Sequence, residues 1–430
     1  MKVTQKEVDA IVVGSGPGGA TVAKELTQSG KRVLILEWGN NAPVKGTARQ
    51  AVPQLFMPGK SLLLTNELLS IIRGITTGGS SLYYYATAFD PPVDMLQSYG
   101  VDIRKEIDVV RSELPIGKLS DDLIGPMAKR IMQSACDLNY QWHKLPKFIY
   151  QDKCRADCDK CTWGCPYGAK WNTRMFVEEA VRNGATLINE AKVDRVIQNN
   201  GKAIGVQYRK KGKMSHVYAP LVILSAGGMG TPKILRRCGI GRAGYDFFYD
   251  PVISVLGVVD DIQGGKEVPM VYGVHMEDEG YLLADMTFPW AFHALSAAQV
   301  FKFPKIFAHA KILQIMIKIR EDLGGSLTEY GVVRKRLTQN DKKKFASGYH
   351  RAKAILENAG AKDIYKSWYS AGHPGGTAKI GDVVDRNLMT EIDNLYVCDN
   401  SVIPEALGLP PTFTLVCLAK RLAKHLVPRK

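Results

Sequence analysis

Residues 8–38 read VDAIVVGSGPGGATVAKELTQSGKRVLILEW, and this stretch sets the reading of the chain. The short apolar run from Ala10 to Val13 has the composition of a buried parallel strand. It runs into Gly14-Ser15-Gly16-Pro17-Gly18-Gly19, a helical pattern follows from Ala20 to Thr27, and Val33 to Leu36 reads as a second strand closed by Glu37. Gly14 suits a tight strand-to-helix turn, Gly16 removes a Cβ where a pyrophosphate would approach the backbone, and Gly19 lets the helix lie close on the strand. The free N–H groups and positive dipole end of that helix favour a phosphate. Glu37 stands 23 residues after Gly14, where an acidic side chain takes the ribose hydroxyls of an adenosine. Strand, turn, helix, second strand and acid in register predict an α/β fold with a dinucleotide site.

Working outward, 430 residues exceed one ordinary domain, and 45% hydrophobic with 23% charged residues is a globular composition. Residues 1–7 are polar and lead into the first strand, which leaves no room for a signal peptide. No window reaches about 18 uninterrupted apolar residues, so no membrane-spanning helix is expected. The net charge of +15 is spread along the chain without a basic run interleaved with aromatics, which argues against a nucleic-acid partner. A solvated basic surface is the plain account; anionic substrates, an acidic electron-transfer partner or a membrane face would also use it. Cys136, Cys238, Cys398 and Cys417 are dispersed and read as small buried residues of a reducing, cytoplasmic compartment.

Ile75 to Ala86 carries Gly78-Gly79-Ser80-Ser81 with no helical period, a loop suited to hugging a ligand, although an ordinary Gly-Ser turn has the same composition. Strands are expected at 185–188, 193–198, 203–209 and 221–224, with Asn199-Asn200-Gly201 as a hairpin turn. Residues 250–370 suggest a sheet with one solvated side. Within them, Ala291 to Arg320 is apolar but carries Lys302, Lys305, Lys311, Lys318 and Arg320. That pattern fits a segment lying on a membrane, or lysines snorkelling beside a substrate channel. Residues 341–360 and 412–426 read as helices.

Cys154-x3-Cys158-x2-Cys161-x3-Cys165-Pro166 is the least ordinary feature. Its last three cysteines and proline reproduce the end of a bacterial ferredoxin run, with the first gap one residue longer. A [4Fe-4S] cluster is the first reading. Zinc usually takes two C-x2-C knuckles separated by a longer loop, and reduced or paired cysteines without metal are the third alternative.

With Thr77-Gly78-Gly79-Ser80-Ser81-Leu82, the run 225–232, His373-Pro374-Gly375-Gly376-Thr377 and Asn394 to Pro404, the chain resembles the glucose-methanol-choline (GMC) flavoprotein oxidoreductases. The resemblance implies a Rossmann-like FAD-binding domain of the p-hydroxybenzoate hydroxylase kind, from residues 1–90, 154–245 and 370–430. A second α+β substrate domain would come from 91–153 and 246–369. It implies FAD, with Gly14, Gly16 and Gly19 at the pyrophosphate, Glu37 at the ribose, Val193 at the adenine, Gly78, Gly79 and Ser81 beside the flavin, and Asp399 with Thr412 at the ribityl and ring region.

His373 matches the histidine that takes the hydroxyl proton while hydride leaves an alcohol carbon for flavin N5. A neutral imidazole in a Gly/Pro-rich turn suits that role on chemical grounds; a hydrogen-bonded loop histidine is the bland alternative. Where the family carries a second His or Asn before the closing helix, this chain has Pro410-Pro411. Asn400, Tyr84 and Tyr85 are candidates to replace it. The expected activity is oxidation of a CH–OH group of a hydrophobic substrate, with electrons passed to a ferredoxin-like protein or a quinone. The same machinery could run in reverse as a reductase. Two further readings are an electron-transfer subunit bound to a partner chain, and a flavin-containing lyase or isomerase.

Overall fold

The computed structural model describes residues 8–328 and 331–427. Residues 1–7, on which the signal-peptide expectation rests, lie outside them.

Ala10–Val13 is the central strand of a five-stranded parallel sheet. Val33–Leu36 and Val222–Leu224 flank it, and Thr186–Ile188 and Leu395–Val397 form the edges. The four-residue strands Ala10–Val13 and Val33–Leu36 are buried throughout, as continuous apolar runs covered on both faces must be. Helix Pro17–Gln28 packs against Arg174–Arg182 and Thr412–Leu426. Its seat is close: a Cβ on Gly18 would stand 1.7 Å from the Cys398 carbonyl oxygen, and one on Gly19 2.2 Å from that of Gly14. Ala191–Asn199, Lys202–Lys210 and Lys213–Tyr218 form an antiparallel sheet, its first hairpin turning at Asn200 (φ 50°) and Gly201 (φ 75°). Two positive φ values are what a two-residue turn joining twisted strands requires.

The second body is a nine-stranded, mostly antiparallel sheet around Pro251–Val258 and Ile312–Ile319. Leu62–Leu64, Ser70–Ile72 and Ser370–Ala371, from stretches grouped by sequence with the nucleotide-binding part, pair into it. The expectation of a solvated face is corrected here, for these strands are buried along nearly their whole length. Helices Pro126–Asp137 and Gln339–Asn358 cover one face, and the other, carrying Val252, Ser254, Met316 and Lys318, walls a large cavity.

The stretch Ala291 to Arg320 is likewise not one amphipathic segment. It divides into helix Trp290–Gln299, the 3₁₀ stretch Phe303–Lys311 and the buried strand Ile312–Ile319. Lys305 pairs with Asp363 and Lys311 with Asp260, while Lys318 is buried. Among the described residues no helix is long and apolar enough to cross a membrane.

Candidate active site

The carboxyl ends of the parallel strands and the inner face of the second sheet enclose a cavity of about 830 Å³. Such a crevice beyond the strand ends is where open α/β sheets hold their ligands. Gly14, Gly16, Glu37, Gly79, Ser81, Val193, His373, Asp399 and Thr412 all line it, so residues from distant parts of the chain meet on one space. Gly19 and Gly78 are not on its lining. Gly19 serves the packing of the first helix, and Gly78 (φ 89°) lies against Arg174, whose backbone nitrogen a Cβ there would approach to 2.9 Å.

The turn after the first strand is built around Gly14, at φ 100°, with room for a Cβ only 2.1 Å from the Ser225 carbonyl oxygen. Gly16 by contrast has nothing within 4 Å of a Cβ position, leaving its backbone open toward the cavity. Glu37 reaches back to this turn: one carboxylate oxygen accepts from Ser15 N at 3.0 Å and Ser15 Oγ at 2.6 Å, the other from Gly39 N at 2.6 Å. Burial pushes its carboxyl up against these hydrogen bonds. Ser15 Oγ in turn accepts from Gly78 N at 3.1 Å, joining the two glycine-rich segments. The second is a 3₁₀ turn, Gly79–Leu82, rather than an open loop, with Ser81 Oγ donating to the Gly78 carbonyl at 2.7 Å. Asp399 accepts from Gly227 N (2.8 Å), Thr231 Oγ1 (2.5 Å), Ser401 N (2.8 Å) and Ser401 Oγ (2.5 Å), tying two strand ends together.

These features fit a dinucleotide. An uncapped helix start faces the cavity behind the open Gly16 backbone, and Asn400, on the cavity wall, has a buried Oδ1 with no hydrogen-bond partner.

His373 follows the short strand Ser370–Ala371, and its turn is held by Asn400, whose Nδ2 donates to the carbonyls of His373 (2.8 Å) and Pro374 (3.1 Å). Tyr84 donates to the Trp171 carbonyl at 2.8 Å, and Tyr85 bonds Thr162. The three side chains proposed from sequence to replace the missing clamp therefore line the cavity, but both tyrosine hydroxyls and the Asn400 Nδ2 are engaged elsewhere, and only Asn400 Oδ1 has no partner. Pro410 and Pro411 line it too. The group that meets His373 is one that sequence reasoning missed. Lys318 Nζ stands 2.9 Å from His373 Nδ1 and donates to Asp250 Oδ2, which is itself 3.6 Å from the same ring nitrogen. Asp250 and Lys318 are each 1% exposed. A lysine interrupting the strand pattern ILQIMIKI was the available signal, since a charge there is either at an edge or buried with a partner.

Burial pushes the Asp250 carboxyl up, but Lys318 and His373 outweigh it and hold it below the ordinary carboxylate range. Burial lowers Lys318 against the pull of Asp250, and burial with the neighbouring ammonium lowers His373. The arrangement is an ion pair beside a neutral imidazole, able to hand a proton to or from an oxygen in the cavity.

Cys154, Cys158, Cys161 and Cys165 do not reach this cavity. They line a separate space of about 10 Å³ with Lys170, and none is in a disulfide. Burial raises the Cys158 thiol, and pushes Cys161 up to about 11 and Cys154 to about 12. Among the described residues no group of three or more His, Cys, Asp or Glu side chains is drawn close enough to hold a metal ion, so the expected metal site is not formed in this arrangement. Lys170 Nζ ties the cysteine loop to the cavity wall, donating to the carbonyls of Cys161 (2.6 Å), Leu82 (2.9 Å) and Tyr84 (2.8 Å).

Fold and site define a two-part α/β oxidoreductase with a Rossmann-like FAD-binding domain. The sequence matches the GMC oxidoreductase family over residues 8–254, for its N-terminal part, and 304–419, for its C-terminal part. The chain belongs to the GMC oxidoreductase family, as an FAD-dependent enzyme acting on alcohol-type donors. It is 29% identical to the uncharacterised protein MJ1450 of Methanocaldococcus jannaschii, over 97% of this chain and 100% of that one. It is 23% identical to a long-chain-alcohol oxidase of Arabidopsis thaliana, over 99% of this chain and 68% of that protein. Among solved structures, pyridoxine 4-oxidase from Mesorbium loti superposes with a TM-score of 0.73 at 15% identity, covering 97% of this chain and 99% of that one. Formate oxidase of Aspergillus oryzae superposes with a TM-score of 0.75 at 16% identity, covering 98% of each chain.

Proposed function

We propose that the chain removes hydride from the CH–OH carbon of a hydrophobic alcohol, with His373 taking the hydroxyl proton. The observation that carries this reading is the shared cavity: the His373 ring opens onto the space that also meets the Gly14–Gly16 turn and Asp399. When bound there, FAD supplies an electron-pair acceptor at N5. Gly14 and Gly16 would face its pyrophosphate with Gly19 behind them, Glu37 the ribose and Val193 the adenine. Gly79 and Ser81, supported by Gly78, with Asp399 and Thr412 would hold the flavin half.

A hydrophobic substrate is favoured by the rest of the wall, where Met270, Met286, Phe288, Phe292 and Met316 cluster. The likeness to a long-chain-alcohol oxidase points the same way. Helix Trp290–Gln299 contributes Phe292 and Leu295 to the cavity, while Trp290, Phe301, Phe303 and Phe307 around it are exposed. An aromatic rim of this kind suits contact with a lipid surface that delivers the substrate. Of the dispersed cysteines, Cys398 and Cys417 are buried as expected, whereas Cys136 is exposed and Cys238 half-buried; none is in a disulfide, which is consistent with a reducing, cytoplasmic setting.

The four clustered cysteines are proposed to hold a [4Fe-4S] cluster and the enzyme to use an external acceptor, a ferredoxin-like protein or a quinone. The sequence spacing supports the cluster, whereas the space of about 10 Å³ that the cysteines share in this arrangement does not hold one.

The test is anaerobic: mixing the FAD-loaded protein with a long-chain primary alcohol bleaches the flavin absorbance, and iron and sulfide analysis finds about four of each per chain. No bleaching with any long-chain alcohol sinks the substrate reading. Flavin without iron or sulfide returns the cysteines to a structural role.

A further inference from the structure

We infer that Lys318, held by Asp250, decides which ring nitrogen of His373 carries the proton and stores the proton that the reaction moves. The inference rests on the reading of His373 as the proton-transfer group and supplies what Pro410 cannot.

An ammonium has three donors and no acceptor, so the imidazole nitrogen facing it presents a lone pair. With Lys318 Nζ 2.9 Å from Nδ1, neutral His373 carries its proton on Nε2. In that state the ring donates to a substrate oxygen and cannot accept from one. Once Lys318 is a neutral amine, Nδ1 can carry the proton, with the amine or Asp250 Oδ2 as acceptor, and Nε2 becomes the base.

Oxidation starts from this second state. The alcohol O–H bond breaks and its proton goes to Nε2, while Nδ1 passes its own proton to Lys318. The C–H electron pair leaves as hydride to the flavin and the carbonyl forms. Lys318 ends as an ammonium and His373 as the neutral Nε2–H tautomer. Carbonyl reduction is the same sequence reversed, starting from the ammonium.

The surrounding structure holds the pair in place. Asp250 sits at φ 56°, a left-handed conformation disfavoured for a residue with a Cβ. It is fixed there by its N–H to Glu321 Oε1 at 2.8 Å and by Gly408 N on Oδ1 at 3.3 Å. Such strain concentrates where a side chain must be aimed. The charged groups facing Lys318 are Asp250, His373 and Glu321, the last 3.6 Å from Lys335 Nζ. Oxidation therefore quickens as pH rises and Lys318 loses its proton, and reduction slows.

The experiment uses FAD-loaded protein labelled with ¹⁵N-histidine, the His373 signals being assigned by their loss in His373→Asn. At neutral pH the wild type shows the Nε2–H tautomer, and Lys318→Met shows Nδ1–H directed at Asp250. The double variant Asp250→Asn/Lys318→Met, which leaves no buried charge unpaired, also shows Nδ1–H and serves should the single variant fail to fold. In single-turnover flavin reduction, Lys318→Met loses the rise with pH, because no ammonium remains to be titrated. A wild type already carrying Nδ1–H, or a tautomer unmoved by Lys318→Met, overturns the inference even where His373→Ala abolishes reduction. Full reduction by His373→Ala overturns instead the reading beneath it.

Discussion

At the scale of single residues, two positions carry separable consequences. His373 lies in a turn whose carbonyls are held by Asn400, so truncating its ring leaves the turn's backbone bonds in place. His373→Ala is expected to bind FAD as the wild type does and to reduce it about 10²-fold or more slowly, the usual range for a general base. Stopped-flow absorbance of the flavin checks this, and an unchanged rate removes His373 from the chemistry. Gly14 is the opposite case, since its φ of 100° and the Ser225 carbonyl 2.1 Å from a Cβ position leave alanine no place. The left-handed backbone alone costs about 1–2 kcal/mol, and the collision must also push the Val222–Leu224 strand end outward. Gly14→Ala should therefore lower both the melting temperature and FAD affinity, measured by calorimetry and by flavin retained on gel filtration. At Gly16, where a Cβ would meet only open space, alanine should spare stability and weaken FAD binding alone.

Among the elements, the sequence was most readable where one segment satisfies itself. The helix from Thr412 to Leu426 and the Asn200-Gly201 hairpin follow from local periodicity and turn chemistry. The nine-stranded sheet was less readable, because its apolar alternation is the same whether the second face meets water or a cavity. Lys318 shows the difficulty: its charge suggested a membrane surface or a channel-side lysine with a solvated head, whereas it lines the cavity fully buried, which Asp250, 68 residues earlier, makes tolerable. The glycine turn and Glu37 were readable from local spacing and His373 from its Gly/Pro-rich turn, whereas Asp399, and the meeting of all four on one cavity, came only from family likeness. The aromatic rim beside the cavity was legible only as a tendency. Phe301 and Phe307 are 81% and 87% exposed, and Lys302 lies between Phe301 and Phe303. Replacing Phe301 and Phe307 by serine should leave folding intact and reduce co-sedimentation with anionic phospholipid vesicles several-fold, because each aromatic would bury roughly 2 kcal/mol of apolar surface in the interface. Equal sedimentation of wild type and variant would show that the rim has another use.

For the whole molecule, the cavity wall draws on residues from Val13 to Leu415 and on both sheets, so a ligand filling it touches both sheets at once. A ligand that binds only the folded state at 100 times its dissociation constant adds about 2.7 kcal/mol to stability. With an unfolding entropy of about 2.1 cal/mol/K per residue, a chain of 430 residues loses about 0.9 kcal/mol of stability per kelvin near its midpoint. Stripping FAD should then lower the melting temperature by about 3 °C if the molecule unfolds as one unit. Two units would respond differently: the parallel-sheet part, having fewer residues, would shift further, and the nine-stranded part would stay in place as a second transition. The strands Leu62–Leu64, Ser70–Ile72 and Ser370–Ala371 favour the single transition, because each lies in the nine-stranded sheet while its chain continues into the wall near Gly79 or His373. Scanning calorimetry of the FAD-loaded and stripped protein decides between them, and a split endotherm after stripping would show that the two sheets are coupled through the flavin and not through their shared strands.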